Sequence, residues 1–317
     1  MNSLSDPIAP FEVVIPSRNR NKMICKALAS LEAAAKHASY YLKVKVVDDA
    51  SKIPYKLNDT FYHNLNLHII RLNDCKGAGG ARNAGIEKTK TDWIAIIDDD
   101  CIVDQNWISR AIDIIRQQKI PNLAIIGGDV IPWKCKSICG QYLSAIKHLS
   151  GPLYDDSGII GLTTANMLIN KNAFLEICGF DDSLRNSEDT DLIIRIRHQH
   201  KVRYDPKLVL YHCHDIDLLD FAIKFLRYGK SLRRVLDKNS LIVNDVGVYT
   251  FYCSSCSSIF KAYLKALFQA CREWNASHPK HIGYYLYIAG YVLSMLRRLA
   301  LEIGFCCEPK DFSNVSK

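Results

Sequence analysis

The apolar run Trp93-Ile-Ala-Ile-Ile97 leads without a break into three carboxylates, Asp98, Asp99 and Asp100. The run is short and rich in β-branched residues, so it reads as a buried strand, and such a strand can carry charge only where it emerges into a cleft. Three adjacent negative charges repel one another and are costly unless water or a cation offsets them. A hard divalent cation carried by a phosphate-bearing substrate is the natural partner. The triplet therefore asks for a sheet whose strand ends open on a ligand site.

The flanking sequence supplies that sheet. Phe11-Glu-Val-Val-Ile-Pro16 is a first strand stopped by proline, and the polar turn Ser17-Arg-Asn-Arg20 follows it. Residues 22–38 place Ile24, Leu28, Leu31 and Ala35 at helical spacing. Leu42 to Val47 forms a second strand ending in Asp48-Asp49-Ala-Ser51, and Leu67 to Leu72 a third, which gives the order strand, helix, strand, helix, strand. Gly77-Ala-Gly-Gly-Ala-Arg-Asn-Ala-Gly85 opens the next helix, and another runs from about Gln105 to Gln117. Strand character returns at Leu123 to Val130 and at Thr163 to Ile169, and Gly179 to Asp191 leads into a helix reaching about His200. Alternation of this kind predicts an α/β fold with a mostly parallel sheet covered on both faces, with ligands at the C-terminal strand ends. The polar and acidic turns all fall at those ends and converge on one crevice.

A chain of 317 residues accommodates one large α/β domain with an appendage, or two modest domains. The net charge of +8 favours anionic partners such as phosphates, nucleotides or acidic lipid. Met1 to Pro10 is polar and lacks the apolar stretch of a secretory signal, which speaks against export by that route. The 12 cysteines are scattered through strands and helices, as reduced thiols would be. Cys253-Ser-Ser-Cys256 lacks a second pair for zinc, and neither Cys135/Cys139 nor Cys306/Cys307 has the usual spacing, so the cysteines read as small buried hydrophobes.

Three constellations can carry chemistry, each beside a plainer reading. The glycine-rich segment has Arg82 where a dinucleotide fingerprint has its third glycine, so the close approach of helix to strand is not specified. It is either a turn before a helix or a helix start that offers N–H groups and Arg82 to a phosphate. Glu188-Asp189 opens a helix with Ser187 as the expected N-cap; one acid complements the helix dipole, or one reaches the cleft as a base. His212 and His214 alternate along a strand-like run and share a face, as packed residues or as ligands to a metal held by the aspartates.

Taken in order, Val-Ile-Pro-Ser-Arg-Asn-Arg20, Val-Val-Asp-Asp-Ala-Ser51, Gly-Ala-Arg-Asn-Ala-Gly85, Asp-Asp-Asp100, Gly-Phe-Asp-Asp182 with Glu-Asp-Thr-Asp191, and His212 resemble family 2 glycosyltransferases across roughly residues 11 to 214. The resemblance implies a GT-A fold, the Rossmann-like mixed α/β sheet of nucleotide-diphospho-sugar transferases. It also implies a nucleotide-sugar donor, a UDP-sugar foremost, a divalent metal (Mn²⁺ or Mg²⁺) and inversion at the anomeric carbon. Carried over by position, Pro16, Ser17, Arg18 and Asp49 face the nucleoside, and Arg82 or Asn83 lies near its base and phosphates. Asp98 and Asp100 match the D-x-D pair that holds ribose and metal, Asp99 lines the donor site between them, and His212 joins the metal. Asp189 matches the catalytic base, with Glu188 as its companion.

The implied acceptor is a glycan, lipid-linked or other hydroxyl, with no nucleic-acid partner. The chain lacks the Q-x-x-R-W motif and multiple spans of processive members, so it is expected to add one sugar and release the product. The expected layout is a tail over 1–10, a catalytic domain over 11–215 and a helical region over 216–317 that contacts acceptor or membrane. Two rivals are a catalytically inactive nucleotide-sugar or glycan-binding relative and a sugar nucleotidyltransferase, whose glycine-rich opening loop does not follow Val14.

In the helical region, Phe221, Phe225, Tyr228, Leu232, Val235 and Leu236 recur at helical spacing, while Lys224, Arg227, Lys230, Arg234 and Lys238 take another face. This helix packs on the protein or lies on anionic lipid. Ile282 to Leu296 is uncharged but short and tyrosine-rich for a bilayer crossing, and reads as a packed helix first and a monotopic attachment second. Either way the expected location is cytoplasmic, with a peripheral position on the cytoplasmic membrane face as the variant.

Overall fold

The computed structural model describes residues 10–57, 61–155, 158–239, 274–275 and 284–307. Cys253-Ser-Ser-Cys256 and all but the last residue of the N-terminal tail lie outside them. The chain divides into two compact units. The first comprises residues up to Val130, Gly151–Leu153 and Ile159–His212; the second comprises Ile131–Ser150, Tyr154–Gly158 and residues from Cys213 onward.

The elements follow in the order β1 (Phe11–Ser17), α1 (Asn21–His37), β2 (Leu42–Asp48), β3 (Leu65–Arg71), α2 (Gly77–Glu87), β4 (Trp93–Ile97), β5 (Cys101–Val103), α3 (Trp107–Gln117) and β6 (Leu123–Pro132). Then come α4 (Ile138–Ala145), β7 (Leu153–Asp155), β8 (Gly158–Gly161), β9 (Asn166–Asn170), α5 (Lys171–Glu176), α6 (Glu188–Ile196), β10 (Lys201–His212), α7 (Leu218–Lys238) and α8 (Tyr284–Cys307). The principal sheet has the order β3-β2-β1-β4-β9-β6-β10-β5. Strands β3, β2, β1 and β4 are parallel. Strand β9 runs antiparallel to β4 and β6, and β5 antiparallel to β10.

The sheet is therefore mixed, not mostly parallel. Parallel neighbours need a crossover, and α1 and α2 supply crossovers only in the first half. The helix expected between the second and third strands is absent among the described residues, which link β2 to β3 without one.

Every residue of β1 and of β4 is buried. Helix α1 lays Ile24, Ala27, Leu28, Leu31, Ala34 and Ala35 against the sheet, and each large aliphatic side chain so buried contributes roughly 1.5–3 kcal/mol. Glu12, within β1, is compensated by the Lys45 ammonium and the Lys90 N–H. Asn166 joins distant parts of the sheet: its Oδ1 accepts from Trp107 Nε1 at 2.9 Å and its Nδ2 donates to the Leu208 carbonyl at 2.8 Å.

Helix α2 approaches the sheet closely after all, through Gly85 one turn beyond Arg82. A Cβ there would fall 2.5 Å from Val14 Cγ1 and 2.9 Å from Val47 Cγ2. The missing third glycine of the fingerprint is thus replaced by another.

The described part of the second unit is mainly helical. Cys139, Tyr142 and Leu143 of α4 form a core with Phe221 and Phe225 of α7, Trp274, and Leu293 and Ala300 of α8. Tyr142 and Phe221 meet edge to face at 5.8 Å. Helix α7 has the expected amphipathic pattern: Val235 and Leu236 are also buried, whereas Arg227, Arg234 and Lys238 are exposed. No helix among the described residues is long and apolar enough to cross a membrane.

Candidate active site

The exits of β1, β2 and β4, the start of α6 and the end of β10 bring the charged residues together. At the exit of β4, Asp98 is partly exposed, Asp99 is buried and Asp100 is largely covered. Asp99 Oδ2 accepts from Ser17 Oγ at 2.5 Å, and its Oδ1 from Arg20 Nη1 at 3.0 Å. The same guanidinium nitrogen reaches Asp100 Oδ2 at 2.8 Å. Asp100 Oδ1 lies 3.2 Å from His212 Nε2. Arg82 is buried between two acids, donating to Asp98 Oδ1 at 2.7 Å and to Glu188 Oε1 at 2.6 Å. The triplet is thus first met by the protein's own cations.

These contacts separate the carboxylates. Burial opposes the charge on Asp100, but the hydrogen bond and charge of His212, with Arg20, hold it well below the usual carboxylate range. Burial pushes Asp99 up to about 6 against the pull of Arg20 and Ser17. Asp189 is pushed up to about 7 by burial and by the neighbouring charge of Glu188, which the Thr190 N–H and Arg82 offset only in part. Its Oδ1 accepts that Thr190 N–H at 2.8 Å. Five carboxylates, Asp98, Asp99, Asp100, Glu188 and Asp189, share two guanidiniums, and the surplus negative charge suits a cation.

Helix α6 is anchored behind Asp189. Buried Asp191 pairs with Arg195, which also donates to the carbonyls of Ile177 at 2.6 Å and Gly179 at 2.7 Å. Ser187 does not cap the helix as expected. It has φ 60° in the left-handed region and its side chain makes no capping bond, so Glu188 and Asp189 begin the helix directly after a sharp turn.

The remaining expected residues divide clearly. Pro16 is buried within β1 opposite Val47, and Arg18 is exposed. Asp49 ties down the start of α2, accepting the N–H groups of Lys76 at 2.7 Å and Gly77 at 3.0 Å and the Cys75 thiol at 3.2 Å. Asn83 exchanges two hydrogen bonds with the backbone of Phe180, at 2.8 and 3.0 Å. Arg82 and Asn83, expected beside base and phosphates, are here engaged by protein partners. Strand β10 ends at His212, so His214 does not continue its face; its ring packs 5.7 Å from that of His148 in the second unit.

Sequence reasoning missed Arg20, Tyr55 and Arg71. Tyr55 Oη lies 2.7 Å from Ser17 Oγ and accepts the Arg20 N–H at 3.0 Å. Arg71 pairs with buried Asp48, for which burial is outweighed by hydrogen bonds from Ser51, Arg71 and Tyr55 that keep it below its usual range. The signal for Arg20 was its place in the polar turn after the first strand; Tyr55 sits in an irregular segment that has no pattern to read.

The donor chemistry of Asp100 and His212 fits a divalent cation. Their carboxylate oxygen and imidazole nitrogen stand 3.2 Å apart, and both are donor types that a divalent first-row cation would accept. Asp98, expected as a third ligand, is turned to Arg82 instead. The ligand atoms of the three residues do not gather within 4.8 Å of one another.

A glycosyl transferase family 2 model matches residues 12–178. Pre-mycofactocin glycosyltransferase of Mycobacterium tuberculosis is 25% identical over 226 residues, 69% of this chain and 46% of its own length. An uncharacterized glycosyltransferase of Haemophilus influenzae is 26% identical over 193 residues, 59% of this chain and 61% of its own. The chain spans about half the length of the curated relatives it matches. Among solved structures, the mannosyltransferase PcManGT from Pyrobaculum calidifontis in complex with GDP-Man and Mn²⁺ superposes with a TM-score of 0.57 at 12% identity, covering 94% of this chain and 87% of that one. S. aureus TarS 1-349 superposes with a TM-score of 0.52 at 12% identity, covering 92% and 90%. The fold is the mixed α/β arrangement of GT-A transferases.

Proposed function

The chain belongs to glycosyl transferase family 2, and from that premise we propose that it is a metal-dependent, inverting glycosyltransferase. It moves a single sugar from a nucleotide-diphosphate sugar, a UDP-sugar foremost, to an acceptor hydroxyl in cell-surface glycan, polysaccharide, glycolipid or glycoconjugate synthesis. The observation that carries the reading is the buried Arg82 bridge from Asp98 to Glu188, which ties the aspartate triplet to the helix start bearing Asp189.

Asp189 is the base. With its carboxyl pushed up to about 7 it is matched to taking a hydroxyl proton near neutrality. The acceptor oxygen forms its bond to the anomeric carbon on the face opposite the departing diphosphate, whose bond to that carbon breaks in the same displacement, and Asp189 receives the proton. Glu188 is not free to do this: it is buried and neutralises Arg82, so its role is to position. Asp100 and His212 would hold the cation, and Asp98, paired with Arg82, would add its charge beside it. When bound, that cation offsets the charge developing on the diphosphate. Ser17, Tyr55 and Asp99 fix Arg20, whose half-exposed guanidinium faces the same anionic product.

A domain over 11–215 carries this chemistry in the proposal, and the helical region over 216–317 meets acceptor or membrane. The location that fits is cytoplasmic, with a peripheral position on the cytoplasmic membrane face where the acceptor is lipid-linked. Thermal shifts across UDP-, GDP- and dTDP-sugars with and without Mn²⁺, followed by transfer assays, test the reading. A metal-dependent shift with one donor, and turnover lost in Asp100→Ala and Asp189→Asn, is expected. UDP binding with Mn²⁺ but no turnover on any acceptor would instead support an inactive binding relative.

A further inference from the structure

A second group of ligand atoms lies in the helical unit. The sulfurs of Cys135 and Cys213 and a carboxylate oxygen of Asp215 all lie within 4.8 Å of one another. Two thiols and a carboxylate are soft and anionic donors, unlike the oxygen-dominated set at Asp98–Asp100. Cys135 Sγ receives the backbone N–H of His214 at 3.2 Å and has the Ser144 hydroxyl 3.2 Å away, a group that also reaches the Gly140 carbonyl at 2.8 Å, while its own S–H faces the Trp133 carbonyl at a long 3.7 Å. Donors aimed at sulfur are what orient and stabilise metal thiolates.

Asp215 is already fixed in place. Its Oδ1 accepts the N–H groups of Lys136 at 2.7 Å and Ser137 at 2.8 Å, next to the start of α4, where the Ser137 hydroxyl caps Gly140. The Cys213 thiol hydrogen-bonds to the same carboxylate. A cation would take the place of that proton.

We propose that Cys135, Cys213 and Asp215 form a binding site for one thiophilic divalent cation of the zinc class. Tetrahedral zinc, with bonds of about 2.3 Å to sulfur and 2.0–2.2 Å to oxygen, would set its ligand atoms roughly 3.5–3.8 Å apart, so a contraction of at most about 1 Å closes the site. The two thiol protons pass to solvent, the metal binds both thiolates and one carboxylate oxygen, and water completes the tetrahedron. The metal ties the turn before α4 to the chain that leaves β10. Cys139, four residues beyond Cys135, is committed to the core of the helical unit, so it is the fold that brings Cys135 to Cys213 and Asp215.

The test is Co²⁺ titration of the reduced, metal-free full chain. A thiolate-to-cobalt charge-transfer band that saturates at one equivalent, is erased by Zn²⁺ and ignores Mn²⁺ is expected. Zinc is expected to raise the melting temperature as well. Cys135→Ser and Cys213→Ser each abolish the band, and Cys253→Ser with Cys256→Ser leaves it intact. Asp215→Asn, the change least disruptive to folding, weakens Zn²⁺ about 10-fold or more. The proposal fails if the band survives Cys135→Ser with Cys213→Ser, if Asp215→Asn binds Zn²⁺ as tightly as the parent chain, or if thiol counting without reductant finds Cys135 and Cys213 joined as a disulfide.

Discussion

Asp100 and Asp189 belong to one cluster of carboxylates and are perturbed in opposite directions. Asp100, for all its burial, is held anionic by His212 and Arg20. Asp189 has burial and Glu188 against its charge, with a backbone N–H and the more distant Arg82 in its favour, and is pushed up to about 7. One end of the cluster is built to stay charged and the other to accept a proton. That difference separates a cation-holding side from a proton-accepting side, and the two halves can be broken independently.

The largest effect is expected at the accepting end. Asp189→Asn keeps shape and polarity but cannot take a proton, and transfer should fall by about 10²–10⁴-fold with donor affinity little changed. Single-turnover assays with the donor identified by thermal shift measure it. Turnover within a few-fold of the parent would move the base elsewhere. At the charged end, Asp100→Ala should cost about 10²–10³-fold and weaken the Mn²⁺ dependence of donor binding, because it removes the ligand paired with His212. Donor binding that keeps its Mn²⁺ dependence would break that half of the comparison.

The contrast also has a sign in stability. For Asp189 the folded pKa, about 7, lies above the unfolded value, so the folded state binds the extra proton and stability falls as pH rises from about 4 to 7. Asp99, pushed up to about 6, adds to the same slope. Asp100 works the other way: its contribution is present above about pH 4 and is lost as pH drops through its depressed folded value. Asp189→Asn should therefore flatten the fall between pH 4 and 7 and stabilise the metal-free chain at pH 7.5 by on the order of 1–2 kcal/mol. Urea melts at several pH values measure it, and an unchanged slope would mean that Asp189 is an ordinary surface acid.

What could be read from the sequence was local. Apolar runs stopped by Pro16, Asp48 and Asp98 located three strand exits, and the spacing of Ile24, Leu28, Leu31 and Ala35 located α1, because these patterns arise from burial on one face or two. Features that depend on distant pairing were not legible. Strand β9 enters antiparallel beside β4, a fact of register that no period in Asn166–Asn170 encodes. Arg20 and Arg82 meet carboxylates far along the chain, so the triplet carries guanidiniums that its own sequence does not announce. The cysteines read as uniformly buried, yet Cys25 and Cys178 are exposed, and Cys135 and Cys213 converge without a motif. Ser187 has the residue type of an N-cap but a left-handed backbone that turns its hydroxyl from the task.

The smallest effect on rate, and the finest probe of the comparison, comes from a residue outside the charge cluster. Gly85 lets α2 lie against Val14 and Val47, both β-branched and in adjacent central strands, so neither can swing aside for a new methyl. Gly85→Ala should overpack the contact by about 1–3 kcal/mol and lower Tm by several degrees. An unchanged Tm would mean that α2 rides free of the sheet. The same helix carries Arg82, which draws the Asp189 carboxyl down from where burial and Glu188 would put it. An outward shift of α2 loosens that guanidinium, so the acid limb of kcat should move upward in pH while the Mn²⁺ dependence set by Asp100 and His212 stays in place. A shift in the Mn²⁺ dependence with the acid limb unmoved would reverse the roles assigned to the two ends.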